Sequence, residues 1–197
     1  MSELRFRLSP ALPSTFRHWL SYAYLVRGAE VYPLPSQVVV QSDQVIFRLP
    51  ENGGPVAVCV PWPVENEVWM LSTTTLLPGQ RTYDLLRELA RGQLHRVRTC
   101  VSEWMEAGLA LPEELHAHLR QAVQHLLSSA HSDSVSNAPL ASQALYTALV
   151  AGQALTLETA RCLAQARQQR FPVPFYFGWS ASIPPPDSLT VLRDAFQ

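Results

Sequence analysis

Lysine is missing from this chain of 197 residues: all 15 basic side chains are arginine. A Schiff-base lysine and a P-loop lysine are therefore excluded. Cysteine is scarce, with only Cys59, Cys100 and Cys162 and no CxxC pair, which excludes a disulfide framework and a cysteine zinc site. These three are expected to be buried thiols in a reducing compartment. A charge excess is missing too. With 15 basic against 16 acidic residues the chain has neither the electrostatic footprint of a nucleic-acid binder nor an acidic tail. No apolar run approaches the roughly 18 residues a membrane span requires. The opening Met1-Ser2-Glu3-Leu4-Arg5-Phe6-Arg7 has no continuous hydrophobic region of the secretory kind, so the expected location is the cytoplasm. Neither GxSxG, GxGxxG nor a Walker sequence occurs.

What is present is apolar material, 47% of the residues, enough to close a core over this length. The expected fold class is α+β: an antiparallel β-sandwich-like domain over 1–78, a helical hairpin or bundle over 79–170, and a lone strand and helix over 171–197. Leu4, Phe6 and Leu8 alternate with charged residues, as in a half-buried strand. Strands are also expected at 22–26 and from Val31. Val38-Val39-Val40, a turn at Ser42-Asp43 and Val45 to Leu49 read as a hairpin. Val56 to Val60 and Val68 to Thr74 supply two more strands around a Pro61-Trp62-Pro63 kink.

Beyond Pro78-Gly79 the period changes. Leu85, Leu86, Leu89, Ala90, Leu94, Val97, Val101, Trp104 and Met105 recur at steps of three and four, predicting a helix over 81–107 capped by Gln80 or Thr82. Its Gly92 costs about 1 kcal/mol relative to alanine. Gly108 should end it in the left-handed conformation, and Pro112-Glu113-Glu114 should open a second helix reaching Ala130. After a polar break at 131–139 a third helix is expected over 140–151, with Gly152 as a stop and Thr156 capping a fourth helix to about Gln169. Arg170 to Trp179 reads as an apolar strand, and Leu189 to Phe196 as a helical start that makes the chain look like the front of a longer architecture.

No complete active site emerges. His116 and His118 point about 160° apart on a helix and cannot share an ion. His118 and His125 share a face, read as a solvated one. Cys100 with His95 or His116 would make a nucleophile pair, but Cys100 falls near the apolar stripe. Glu65 and Glu67, Glu103 and Glu106, and Glu113 and Glu114 each have an ordinary explanation in loop solvation or helix-dipole complementarity, and none is assigned to catalysis. No metal and no cofactor is expected. The aromatics Trp19, Tyr22, Tyr24, Tyr32, Trp62 and Trp69 serve either as core filling or as a sugar-stacking surface. Of these, Trp62 between two prolines is expected to be the most exposed. With Glu65, Asn66 and Glu67 it forms the one local cluster suited to carbohydrate, the rival reading being an indole tucked under the helical hairpin.

The tract Val60-Pro61-Trp62-Pro63-Val64, then Leu71-Ser72-Thr73-Thr74-Thr75-Leu76, then Tyr83 and Leu85-Leu86-Arg87-Glu88-Leu89-Ala90-Arg91-Gly92, with Leu94, Val97-Arg98, Trp104 and Gly108-Leu109, resembles the N-terminal region of bacterial xylanase-like proteins. In those proteins a small β domain and helices precede a family-ten glycoside hydrolase barrel. The resemblance implies that Phe175 to Gly178 is the first barrel strand and Leu189 to Phe196 its first helix. It also implies that both catalytic glutamates lie on later strands and match no residue here. On this reading the chain is a non-catalytic, structural or carbohydrate-binding front, inactive alone, with xylan or a related polysaccharide as a partner through the whole protein and the barrel as a neighbour in cis. A freestanding protein-interaction module is the alternative.

Overall fold

The strand expected from Leu4, Phe6 and Leu8 is β1 (Ser2–Arg7) in the computed structural model, which describes residues 2–9, 12, 16–27, 32–49, 54–64, 67–130 and 138–170. After it come α1 (Arg17–Leu20), β2 (Tyr24–Arg27), β3 (Tyr32–Leu34), β4 (Gln37–Val40), β5 (Gln44–Leu49), β6 (Ala57–Val64), β7 (Glu67–Ser72), β8 (Thr82–Asp84), α2 (Leu85–Glu106), α3 (Glu113–Ala130) and α4 (Ala138–Arg170). The class is α+β, with the sheets N-terminal and the helices following. The chain divides into two units, Met1–Glu158 and Thr159–Gln197. Of the second unit, residues 159–170 are described, as the end of α4. The strand expected over 170–179 and the helix over 189–196 fall beyond Arg170, outside the described residues.

The strands form two four-stranded sheets, ordered β4-β5-β1-β8 and β3-β2-β6-β7. Alternation puts Leu4, Phe6, Val45, Phe47 and Leu49 on the inner face of the first, and Leu25, Val58, Val60, Trp62 and Leu71 on that of the second. All of them are buried in one apolar cluster. Phe6 and Phe47 meet edge to face with centroids 5.9 Å apart. The pairings are antiparallel except where β8 lies parallel to β1, Phe6 opposite Tyr83.

That parallel pair alters the start of the first long helix. Thr82, a candidate cap from sequence, belongs to β8, and Asp84 caps α2 by accepting a 2.9 Å hydrogen bond from the Arg87 amide. At the other end Gly108 has φ +77° and its amide reaches the Met105 carbonyl, the left-handed stop that was expected.

Two other breaks are absent. Pro61-Trp62-Pro63 is not a kink, because β6 pairs with β7 from Cys59↔Ser72 through Val64↔Glu67 without interruption. Val58 faces β7, its carbonyl accepting from the Thr73 amide at 3.0 Å. By alternation Pro61 and Pro63 turn their missing N–H groups to the opposite edge, past Cys59, the last β6 residue that β2 pairs. Gly152 likewise lies inside the continuous α4, where a Cβ would meet Gln93 Nε2 and Val97 Cγ2, both at 3.3 Å, so the glycine permits close approach to α2. Thr156 does not cap; its hydroxyl donates to the Gly152 carbonyl one turn back.

The sheet and helix regions share their core within Met1–Glu158. Leu85, Leu86, Leu89 and Ala90 of α2 and Ala141, Ala144, Leu145 and Leu149 of α4 belong to the same cluster as the strand residues. Leu94, Ala122 and Ala148 make a smaller contact where α2, α3 and α4 meet.

Candidate functional site

The carbohydrate cluster expected at Trp62 is rearranged. Trp62 is 5% exposed and meets Phe16 edge to face at 5.2 Å, while across the sheet it pairs with Trp69. It cannot offer a free indole face, so the expectation that it is the most exposed aromatic is overturned. The reason is parity: Val58, Val60 and Trp62 occupy successive inward positions of one unbroken strand. Glu67 accepts a 3.1 Å hydrogen bond from Trp69 Nε1. Glu65 and Asn66 lie outside the described residues.

One edge of Trp62 reaches an open cleft of about 680 Å³ between the end of β6, helix α3 and helix α4. Gln121, His118 and His125 come from α3, and Ser142, Gln143 and Tyr146 from α4; among the described residues none that lines the cleft is an aspartate, glutamate or arginine. The Nδ1 atoms of His118 and His125 are buried without a hydrogen-bond partner among the described residues. The shared face of these histidines is thus a cleft wall rather than a solvated surface. The α3 periodicity brought them together, but what faces them comes from β6 and α4, which no local pattern in α3 reveals. No group of three or more histidine, cysteine, aspartate or glutamate side chains could hold a metal ion among the described residues.

Exposed aromatics occur instead around α1. Trp19 and Tyr22 are 44% and 58% exposed, with ring centroids 6.1 Å apart, and His18 sits edge-on to Tyr22 at 5.5 Å. Their planes are tilted by 47°, so the two rings do not form one flat platform.

Of the three cysteines expected to be buried, Cys59 is buried, whereas Cys162 is half-buried and Cys100 is exposed. Cys59 stands in a cross-strand row with Tyr24 and Ser72. Burial raises its thiol above the ordinary range, against the pull of the Tyr24 hydrogen bond and Arg96. A protonated buried thiol is a poor nucleophile. Arg96 spans from α2 to β7, donating to the Ser72 carbonyl at 3.1 Å, to the Ser72 hydroxyl, and to Gln93 Oε1 at 2.8 Å. Burial lowers its pKa.

The Glu88-to-Gly92 segment is a packing element. Leu89 and Ala90 are fully buried, and a Cβ on Gly92 would fall well inside van der Waals contact of the Ser72 carbonyl oxygen. Thr73, just beneath, is buried; its hydroxyl accepts from the Val58 amide at 3.1 Å and donates to the Thr74 carbonyl at 2.7 Å. Glu88 is only 6% exposed, with Oε2 2.7 Å from Arg91 Nη2 in a geometry that makes no hydrogen bond. Desolvation therefore outweighs the pull of Arg91, Arg87 and Arg81 and holds the carboxyl above the ordinary carboxylate range. A folded-state pKa above the unfolded one contributes stability that is complete at pH below the unfolded value and is lost as pH rises through the raised value. Glu88→Gln is accordingly expected to gain on wild type in urea unfolding as pH rises above the ordinary glutamate value of about 4.3. A constant difference between the two proteins as pH rises would show that Glu88 titrates alike folded and unfolded.

Compared with known proteins, the chain matches no family model, no curated sequence and no solved structure.

Proposed function

We propose that this chain is the non-catalytic N-terminal region of a xylanase-like glycoside hydrolase, acting as a structural or carbohydrate-binding accessory. The observation that supports this best is that many of the residues carrying the xylanase-like resemblance build the seam between sheets and helices. Trp62, Leu71, Thr73, Leu85, Leu86, Leu89 and Ala90 are all buried there, and Gly92 rests on the β7 backbone. A motif spent on packing suits a supporting body. Hydrolysis in retaining glycosidases takes two carboxylates about 5 to 5.5 Å apart, and several of the described acids are engaged in other ways. Glu3 is paired with Arg5 and Arg48, Glu88 with Arg91, Glu113 with Arg120, Asp84 caps a helix, and Glu67 holds Trp69.

Two measurements test the reading. The purified chain is expected to leave xylan and an aryl xyloside unhydrolysed; turnover that disappears when one of its own acids is substituted would overturn the non-catalytic assignment. The reading frame downstream of Gln197 is expected to encode alternating strands and helices, and a stop codon there would favour the protein-interaction module instead.

A further inference from the structure

We propose that the cleft between β6, α3 and α4 is a binding site for a neutral, hydroxyl-rich ligand, and that its occupant is a stretch of uncharged oligosaccharide. The neutral, hydroxyl-rich chemistry follows from the walls; the choice of a saccharide rests on the accessory reading above.

The volume of about 680 Å³ falls in the range of small-molecule sites, about 300 to 1,000 Å³. Charge, the usual means of capturing a phosphate or a carboxylate, is missing among the described residues: with no aspartate, glutamate or arginine in the walls they form, an ionic ligand would give up water without gaining a counter-ion from them. The side chains present suit hydroxyl groups. Gln121 and Gln143 each carry an acceptor oxygen and a donor NH2 on one planar group, the pairing that adjacent hydroxyls satisfy, since each hydroxyl both donates and accepts. His118 and His125 add two imidazole rings, each able to donate or accept through a ring nitrogen. The Nδ1 atom of each is buried without a hydrogen-bond partner among the described residues. Tyr146, 50% exposed, supplies a ring face for the C–H side of a pyranose with a hydroxyl at its edge. The buried Trp62 serves here as a rigid end wall rather than as a stacking platform.

The test is titration calorimetry on the full chain with xylohexaose, cellohexaose and, as a charged probe, hexagalacturonate. At least one neutral hexasaccharide is expected to bind and the charged one to give no heat. Tyr146→Ala and Gln121→Ala, both at exposed positions, are each expected to weaken binding about tenfold with the melting temperature unchanged. The proposal is overturned if neither neutral sugar binds, if hexagalacturonate binds as well as they do, or if binding survives both substitutions. Survival with loss in Trp19→Ala would move the site to the α1 aromatics. Failure of the accessory reading is separable: cleft binding together with a stop codon after Gln197 leaves the site standing and removes the glycosidase connection, whereas a downstream barrel with an unresponsive cleft does the reverse.

Discussion

Gly92→Ala is expected to destabilise the chain by about 3 kcal/mol or more, the upper end of what overpacking costs. Helix propensity alone predicts the opposite sign, because alanine is favoured over glycine by about 1 kcal/mol inside a helix. Packing decides against propensity here. The added methyl would overlap the Ser72 carbonyl oxygen and lie 2.8 Å from the Thr73 carbonyl carbon and 2.9 Å from its Cα. All three are backbone atoms of β7 and the residue after it, so no rotamer change relieves the clash and α2 has to move off the sheet. Leu85, Leu86, Leu89 and Ala90 would lift with it, as would the Arg96 bonds to Ser72. Gly54, where a Cβ meets nothing within 4 Å, is the control: Gly54→Ala should stay within about 0.5 kcal/mol of wild type. Urea unfolding of the three proteins is decisive. A Gly92→Ala chain as stable as wild type would show that α2 does not rest on the β7 backbone.

Trp62→Ala is expected to cost about 3 to 5 kcal/mol, the usual loss for truncating a buried indole. The side chain is packed by Phe16 on one side and shares a cluster with Ala141, Leu145 and Leu149 of α4, so its removal opens a void among elements far apart in sequence. Trp62→Phe should recover much of that loss by refilling part of the volume. Thermal unfolding of the two variants gives the answer. Unchanged stability in Trp62→Ala would mean that the indole is dispensable to the core, which would revive it as a sugar platform.

Much of this architecture was legible because its signals are local. Leu4, Phe6 and Leu8 specify an inward face at period two whatever lies opposite, and the nine apolar positions from Leu85 to Met105 specify a helical stripe that the structure buries from Leu85 to Trp104. The hairpin of β4 and β5 needed only β-branched residues and the Ser42-Asp43 turn between them. The errors came where a residue type was read as punctuation. Proline and glycine disrupt regular structure only when their missing amide or side chain matters, and that depends on a neighbour. Pro61 and Pro63 face an edge beyond the reach of β2, while Gly152 and Gly92 are held inside helices by what packs against them. Asp84 is legible as a cap from sequence as well, standing immediately before the first periodic leucines and being at least as good an N-cap residue as Thr82.

Lysine's absence, the balanced charge and the two periodicities were determined by the amino-acid sequence by itself, and with them the α+β class and the order of sheets before helices. The tertiary structure alone decided that β8 joins β1, that Trp62 is a wall instead of a platform, and that His118 and His125 look into a cleft. Each of these depends on contacts between segments tens of residues apart. Side-chain alternation and helical spacing state which face of an element is apolar, but they carry no information on which other element will cover it.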